Sequence, residues 1–308
     1  MSLWTVNVSL DGTTALAALD PQSAPMTCAA LDSLLPVTTT AHYAKIAGHE
    51  FYLHLPLFLE VEHLRRVSDL TPGTVAFWPE RQLLCIYYGH IQDEDAAVTA
   101  LGRVVENLSG LAKTAEAMRE RLGRVIPTVR LSRGSGGAPH RAAHRAFPDG
   151  TRSGAAGAVF EAYASIRDVA PPEVEALIRR TGVMQPAGAL ICAEGDTRKL
   201  HEFTWLVREE IRTTGRVPEF TGRVLHHWAG RLGGWYGLAA SGALVSEVAA
   251  ALPAAGGHDA QDLIEGLILY AGRLNLWLDA YIPWERINRL LHQAPAAVEA
   301  GSGRGGDA

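Results

Sequence analysis

The hydrophobic period of this chain changes once, and that change limits what it can fold into. Up to about residue 130 the apolar residues come in short runs between turn signals, and after about residue 158 they recur at helical spacing. WTVNVSL ends at Asp11-Gly12, a two-residue hairpin signal. EFYLHLPLFLEV, TVAFWP and RQLLCIYYG follow, each of strand length and rich in aromatic or branched residues. APMTCAALDSLLP reads as an early helix stopped by Pro36, and a second helix is expected over about 94–122, broken near the strand-like TALGRVVENLSG. Beyond the change, AVFEAYASIRDV, PPEVEALIRRTG, DTRKLHEFTWLVREEIRTTG, PEFTGRVLHHWAGRLGG and DAQDLIEGLILYAGRLNLWLDAY all carry the helical period. The last is apolar on nearly every side, as the central helix of a bundle would be.

Between the two halves, residues 131–157 are rich in Gly, Ala, Ser and Arg and have no apolar period, which is linker chemistry. Arg133, Arg141, Arg145 and Arg152 against Asp149 make this stretch cationic, in keeping with a solvated tether. The expected fold class is α+β: a β-barrel or sandwich over 1–130, a flexible linker over 131–157, a helical bundle over 158–296 and a disordered tail over 297–308.

A chain of 308 residues, 47% hydrophobic and 20% charged, can bury two cores. A net charge of −5 gives no reason to expect nucleic acid or an anionic membrane as partner. No signal peptide is expected from the amino terminus, and no membrane span, because the richest apolar stretch contains Arg273. Cys28, Cys85 and Cys192 are far apart with apolar neighbours and read as buried residues of a reducing cytoplasm.

Phosphate-binding glycine loops, nucleophile elbows and HExxH are absent, and GSGG at 134–137 lacks a preceding strand. His226-His227 are adjacent and cannot face one metal from a helix, and His201-Glu202 reads as a surface pair. No metal or cofactor is expected. The β half offers more. In GHEFYLHLP, alternation puts Phe51, Leu53 and Leu55 on one face and Glu50, Tyr52 and His54 on the other. In RQLLCIYYGH, Leu84, Ile86 and Tyr88 oppose Leu83, Cys85 and Tyr87. One face fills a core while the other can line a cleft, to which Lys45, Arg65, Arg66 and Arg81 add cations. Taken singly, these residues are equally well half-exposed sheet positions, with Glu80-Arg81 capping a turn.

The order of SAPMTCAALDSLLP, AHYAKIAGHEFYLHLP and LTPGTVAFWPERQLLCIYYG resembles the small bacterial cyclophilin-like barrels. There a helix ends in Leu-Pro, a Gly-acid-aromatic strand ends in Pro, and a Trp-Pro turn precedes a strand ending in an aromatic-Gly pair. Gly73-Thr74 stands where those proteins often have Gly-Asp. The resemblance covers roughly residues 1–125. With a helical bundle after it, ending in NLWLDAYIPWERINRLL, the chain resembles a narrower group: the cucumopine/mikimopine synthases and related bacterial enzymes that make β-carbolines.

These are Pictet–Spengler cyclases. The resemblance implies condensation of an aromatic amino acid with an oxo acid or aldehyde, without cofactor, in a homodimer. Arg65, Arg66 and Arg81 would hold the carboxylates. Tyr52, His54, Trp78 and Tyr88, or Tyr87, would line the ring site. Glu80 and His90 would carry the protons, with Glu62, Asp93 and Glu94 as replacements. Tryptophan with a 2-oxo acid is favoured and histidine is possible. The alternative is a non-catalytic ligand- or peptide-binding module with a helical dimerisation domain.

Overall fold

A computed structural model describes residues 4–92, 96–134, 152, 154–179 and 186–302. The chain opens with β1 (Trp4–Leu10) and β2 (Thr13–Leu19), joined by Asp11-Gly12 with both residues at positive φ, as a two-residue hairpin turn requires. α1 (Pro25–Leu34) follows, with proline in its first turn. Then come β3 (Val37–Thr40), β4 (His42–Tyr43), β5 (Gly48–His54), β6 (Leu64–Arg66), β7 (Thr74–Trp78), β8 (Leu83–Ile91) and β9 (Ala97–Glu106). α2 (Leu108–Arg119) and β10 (Thr128–Arg133) complete this half.

The ten strands form one sheet in the order β3-β10-β1-β2-β9-β7-β8-β5-β4, with β6 pairing on β9. Its two end strands, β3 and β4, are separated in sequence by Ala41 alone. The sheet therefore curls back on itself into a nearly closed antiparallel barrel, as the alternating runs predicted. β1 alternates strictly between buried and half-buried residues. Its inward side chains join Phe51, Leu53, Phe77, Leu84, Ile86 and Tyr88 in the barrel core, and Leu111, Ala115 and Met118 of α2 pack against that core. Cys85, Tyr87, Ala76 and Val98 form a smaller cluster on the opposite face of the sheet. The two-face pattern read from β5 and β8 is thus present.

The second half contains α3 (Gly154–Ile166), α4 (Pro172–Ile178), α5 (Pro186–Thr214), α6 (Thr221–Gly230), a π-helical turn over Arg231–Tyr236, α7 (Ala239–Ala251), α8 (Gly257–Ala280) and α9 (Trp284–Ser302). α8 is buried along most of its length, packed between α3 and α5, and supplies much of the helical core. No helix among the described residues is long and apolar enough to cross a membrane.

Four expectations need correction. Residues 97–106 of the supposed helix form β9, which pairs with β2, β6 and β7 and buries Val98, Leu101 and Val104; the helix begins only at Leu108. The ends of the supposed linker are ordered structure: Arg133 lies in β10 and forms a two-pronged ion pair with Asp32, and α3 starts at Gly154. Residues 135–151 and 153, with Arg141, Arg145 and Asp149, lie outside the described residues. α9 extends to Ser302, because its alanine-rich end favours helix, whereas 303–308 lie outside the described residues. Cys192 is exposed on α5, unlike the buried Cys28 and Cys85.

At the β5–β8 junction the register shifts, and Gly48 sits at φ +98° with an added Cβ only 2.3 Å from the His90 carbonyl oxygen. Gly48→Ala is expected to destabilise the protein by about 1–3 kcal/mol. Gly12→Ala, also at positive φ but with nothing within 4 Å, should cost less. Urea midpoints of the two variants check the order.

Candidate functional site

The outer face of β5 is largely covered, with Glu50 and His54 buried and Tyr52 half-buried. Glu50, Tyr52 and His54 turn toward the helical half, together with Trp78, Arg81 and Leu83 from β7, β8 and the turn between them. Opposite stand Glu194, Arg198 and His201, at i, i+4 and i+7 of α5, and Gly272, Asn275 and Leu276, at i, i+3 and i+4 of α8. Residues 44–47, between β4 and β5, close one side. The cavity has a volume of about 190 Å³. It is a seam between barrel and bundle, and neither half forms it alone.

One buried carboxylate organises the polar side of the seam. Asp279, 5% exposed near the end of α8, is ion-paired to Lys45 and lies 3.5 Å from His42 Nδ1. It also accepts from the Trp284 indole N–H at 2.8 Å. His42 Nε2 is 2.7 Å from Thr40 Oγ1, which accepts from Arg273 at 2.7 Å. Lys45 donates to the Tyr52 hydroxyl at 3.4 Å, and the Tyr52 ring stacks on His42. On the other side, Gln82 Nε2 donates to the Pro79 carbonyl at 2.6 Å. Gln82 Oε1 is therefore an acceptor, and His201 Nε2, 2.8 Å away, is the donor. Arg81 lies over the Trp78 ring and pairs with Glu202.

These environments separate the titrating groups. Burial works against the Lys45 charge, but Asp279, Tyr52 and Glu194 outweigh it and hold its pKa above the ordinary lysine value. Burial likewise opposes the Asp279 carboxylate, yet Lys45 and His42 hold its pKa well below the usual range. Burial lowers His42 to about 4, with Asp279 in partial opposition, and lowers His201 to about 3, helped by Arg81. His54 is pushed down in the same way by burial and then by Arg273. Glu194 goes the other way. Desolvation raises its pKa, and Arg198 only partly opposes this. The cavity thus holds neutral histidines and a carboxyl group that keeps its proton closer to neutrality than an exposed glutamate would.

Tyr52, His54, Trp78 and Arg81 line this cavity, as does Lys45. The other candidates lie elsewhere. Glu80 is exposed on the turn after β7, because a 3₁₀ turn over Pro79–Arg81 aims Arg81 inward and leaves Glu80 outside. His90 is exposed and borders a neighbouring depression with His49, Arg119 and Trp284, because it lies at the far end of the nine-residue β8. Arg65 and Arg66 are exposed on the short β6, which pairs on β9. Tyr88 points into the barrel core and donates to Glu116, following the alternation of β8. Tyr87 faces the small outer cluster. Glu62 accepts from the first turn of α1 at Met26 and Thr27, and Asp93 and Glu94 lie outside the described residues.

Glu194, Arg198 and Asn275 were not anticipated, and His201 is 3% exposed, not a surface residue. A polar stripe on an amphipathic helix looks the same in sequence whether it meets water or a cavity, so no signal pointed to them. Among the described residues no group of three or more His, Cys, Asp or Glu side chains is gathered as a metal-ligand set.

Residues 8–129 match the cyclophilin-like family. The N-terminal barrel is cyclophilin-like. The helical half lies outside that match, but the whole fold is similar to that of McbB in complex with tryptophan. That likeness covers 92% of this chain and 99% of the McbB chain, with a TM-score of 0.76 and 20% identity. The solution structure of the hypothetical protein AF2241 from Archaeoglobus fulgidus covers 43% of this chain and 95% of its own, with 22% identity and a TM-score of 0.33. No curated protein matches the sequence.

The histidine shifts predict an acid-labile seam. Each folded-state pKa lies below the unfolded value of about 6.5, so the unfolded chain binds more protons at lower pH. Stability from His42 and His201 is complete above about pH 6.5 and is lost as pH falls toward 4 and 3. The urea midpoint should decline steadily from pH 7 to pH 4.5, and His201→Gln should flatten part of that decline.

Proposed function

We propose that this protein is a Pictet–Spengler cyclase that condenses an aromatic L-amino acid, tryptophan before histidine, with a 2-oxo acid such as 2-oxoglutarate. The observation that carries this reading is the make-up of the seam cavity. Three cations (Lys45, Arg81 and Arg198), two acids (Glu50 and Glu194) and two aromatic walls (Tyr52 and Trp78) converge on one cavity. A zwitterionic amino acid with a flat ring calls for that combination. The likeness of the whole fold to a protein whose structure holds tryptophan supports the same reading.

In the reaction the substrate amine attacks the oxo carbon, and loss of water gives an iminium. The ring carbon of indole or imidazole attacks the iminium carbon to close the new ring. Loss of the proton from that ring carbon restores aromaticity. Overall, amine and oxo acid become product plus one water.

We assign proton transfer to Glu194. Its raised pKa suits it to protonate the departing hydroxyl and then, as carboxylate, to take the ring proton. Arg81 and Arg198 bind carboxylates, Glu50 faces the ammonium before condensation, and Trp78 and Tyr52 hold the ring. Leu83 and Leu276 help keep water from the iminium. Glu80 and His90 have no part in this assignment.

Incubation with L-tryptophan and 2-oxoglutarate should yield, by mass spectrometry, a species equal to their sum less one water. Binding of tryptophan without such a product from any aromatic amine and oxo-acid pair would remove the cyclase reading. Glu194→Gln is expected to lower kcat by about 10²–10⁴-fold, while Glu80→Gln and His90→Ala stay within about twofold of the parent.

A further inference from the structure

A second crevice, of about 340 Å³, opens beside the seam cavity and shares His54 with it. Its walls include Val37 and Thr39 of β3, Arg167 and Asp168 after α3, and Arg273 of α8. Arg273 is 1% exposed. Its Nη1 donates to Thr40 Oγ1, and its guanidinium carbon lies 4.3 Å from the centre of the Trp277 ring. Its Nε and Nη2 have no hydrogen-bond partner among the described residues, nor does the neighbouring His54 Nε2.

The two unused nitrogens are not an arbitrary pair. Nε–H and Nη2–H point the same way along one edge of the guanidinium, the edge that meets both oxygens of a carboxylate. Arg133 in this same protein shows the arrangement, with Nε 2.6 Å from Asp32 Oδ1 and Nη2 3.1 Å from Asp32 Oδ2. No described residue hydrogen-bonds that edge of Arg273. Asp168, the acid on the crevice wall, is bound by Arg167 at 2.8 Å. Burial lowers the Arg273 pKa to about 10, with Tyr163 and Asp168 in partial opposition, so the side chain stays charged at neutral pH. A buried charge whose donors lack partners is costly, and an anion in reach would offset that cost.

We propose that this crevice binds the carboxylate of a small organic acid, held side-on by Nε and Nη2 of Arg273. Leu34, Val37 and Pro56 give its short carbon chain an apolar wall. Both nitrogens are closed to bulk solvent. The Arg167–Asp168 pair, each side chain about half exposed, forms a solvent-facing part of the crevice wall, and the acid enters on this side. The site is separate from the cyclase reading and does not depend on it.

Thermal unfolding of the full chain in carboxylate-free buffer tests the site, with formate, acetate or propionate added and equimolar chloride and acetamide as controls. The carboxylates should raise Tm saturably by about 2 °C or more, and chloride and acetamide should not. R273M should abolish the rise and, without carboxylate, be at least as stable as the parent because the uncompensated charge is gone. No carboxylate-specific rise in the parent would overturn the proposal, as would a rise that survives in R273M. If R273M does not fold, R273K takes its place, since it keeps the charge but loses the planar edge. An undiminished carboxylate response in R273K would then overturn the proposal.

Discussion

The seam between barrel and bundle depends on Asp279. It is a carboxylate almost removed from water, and a lone charge there would be strongly destabilising. Its partners come from three places: Lys45 from the loop before β5, His42 from the edge strand β4, and Trp284 from the start of α9. Satisfying one buried acid therefore locks the last turn of α8 against the open edge of the barrel. The same contact draws residues 44–47 over the face of β5 and turns what would be a solvated sheet surface into the wall of a cavity.

α8 reconciles two demands. Most of its circumference is apolar and fills the helical core. Along one narrow strip Asn275 donates to the Glu194 carbonyl and to Thr197 of α5, Asp279 meets Lys45 and His42 of the barrel, and Gly272 lies between His201 of α5 and His54 of the barrel. A Cβ there would lie 2.9 Å from the His201 ring and 3.6 Å from His54 Nε2. His54 and His201 both line the cavity beside Gly272, in the neutral forms that their burial favours. Arg273, next in sequence, faces the other crevice, so adjacent residues of one helix serve two cavities.

The barrel was largely legible in the sequence because period-2 alternation reports a half-buried sheet directly. It placed Glu50, Tyr52 and His54 on one face and Tyr88 on the other, and the Asp11-Gly12 turn was read correctly. The candidate site was legible only on that side. Arg65 and Arg66 looked like anion holders because they are adjacent cations, yet a three-residue strand on β9 carries them away from the cavity. Glu80 and Arg81 are neighbours in sequence with opposite fates, separated by the direction of a single 3₁₀ turn. His90 was expected at the rim because it ends β8, but nine residues of strand put its end over a different depression.

The sequence alone determined that a β-rich half precedes a helical one, that β5 and β8 each have a core face and a polar face, and that one helix would be central. Those are local facts, written in the spacing of side chains along a single element. Which polar face meets which was decided only by tertiary structure. Glu194, Arg198, His201 and Asp279 become a site because α5 and α8 dock across the barrel edge, and docking depends on shape and charge over residues 233 positions apart and more. No periodicity within one element records such a distant match.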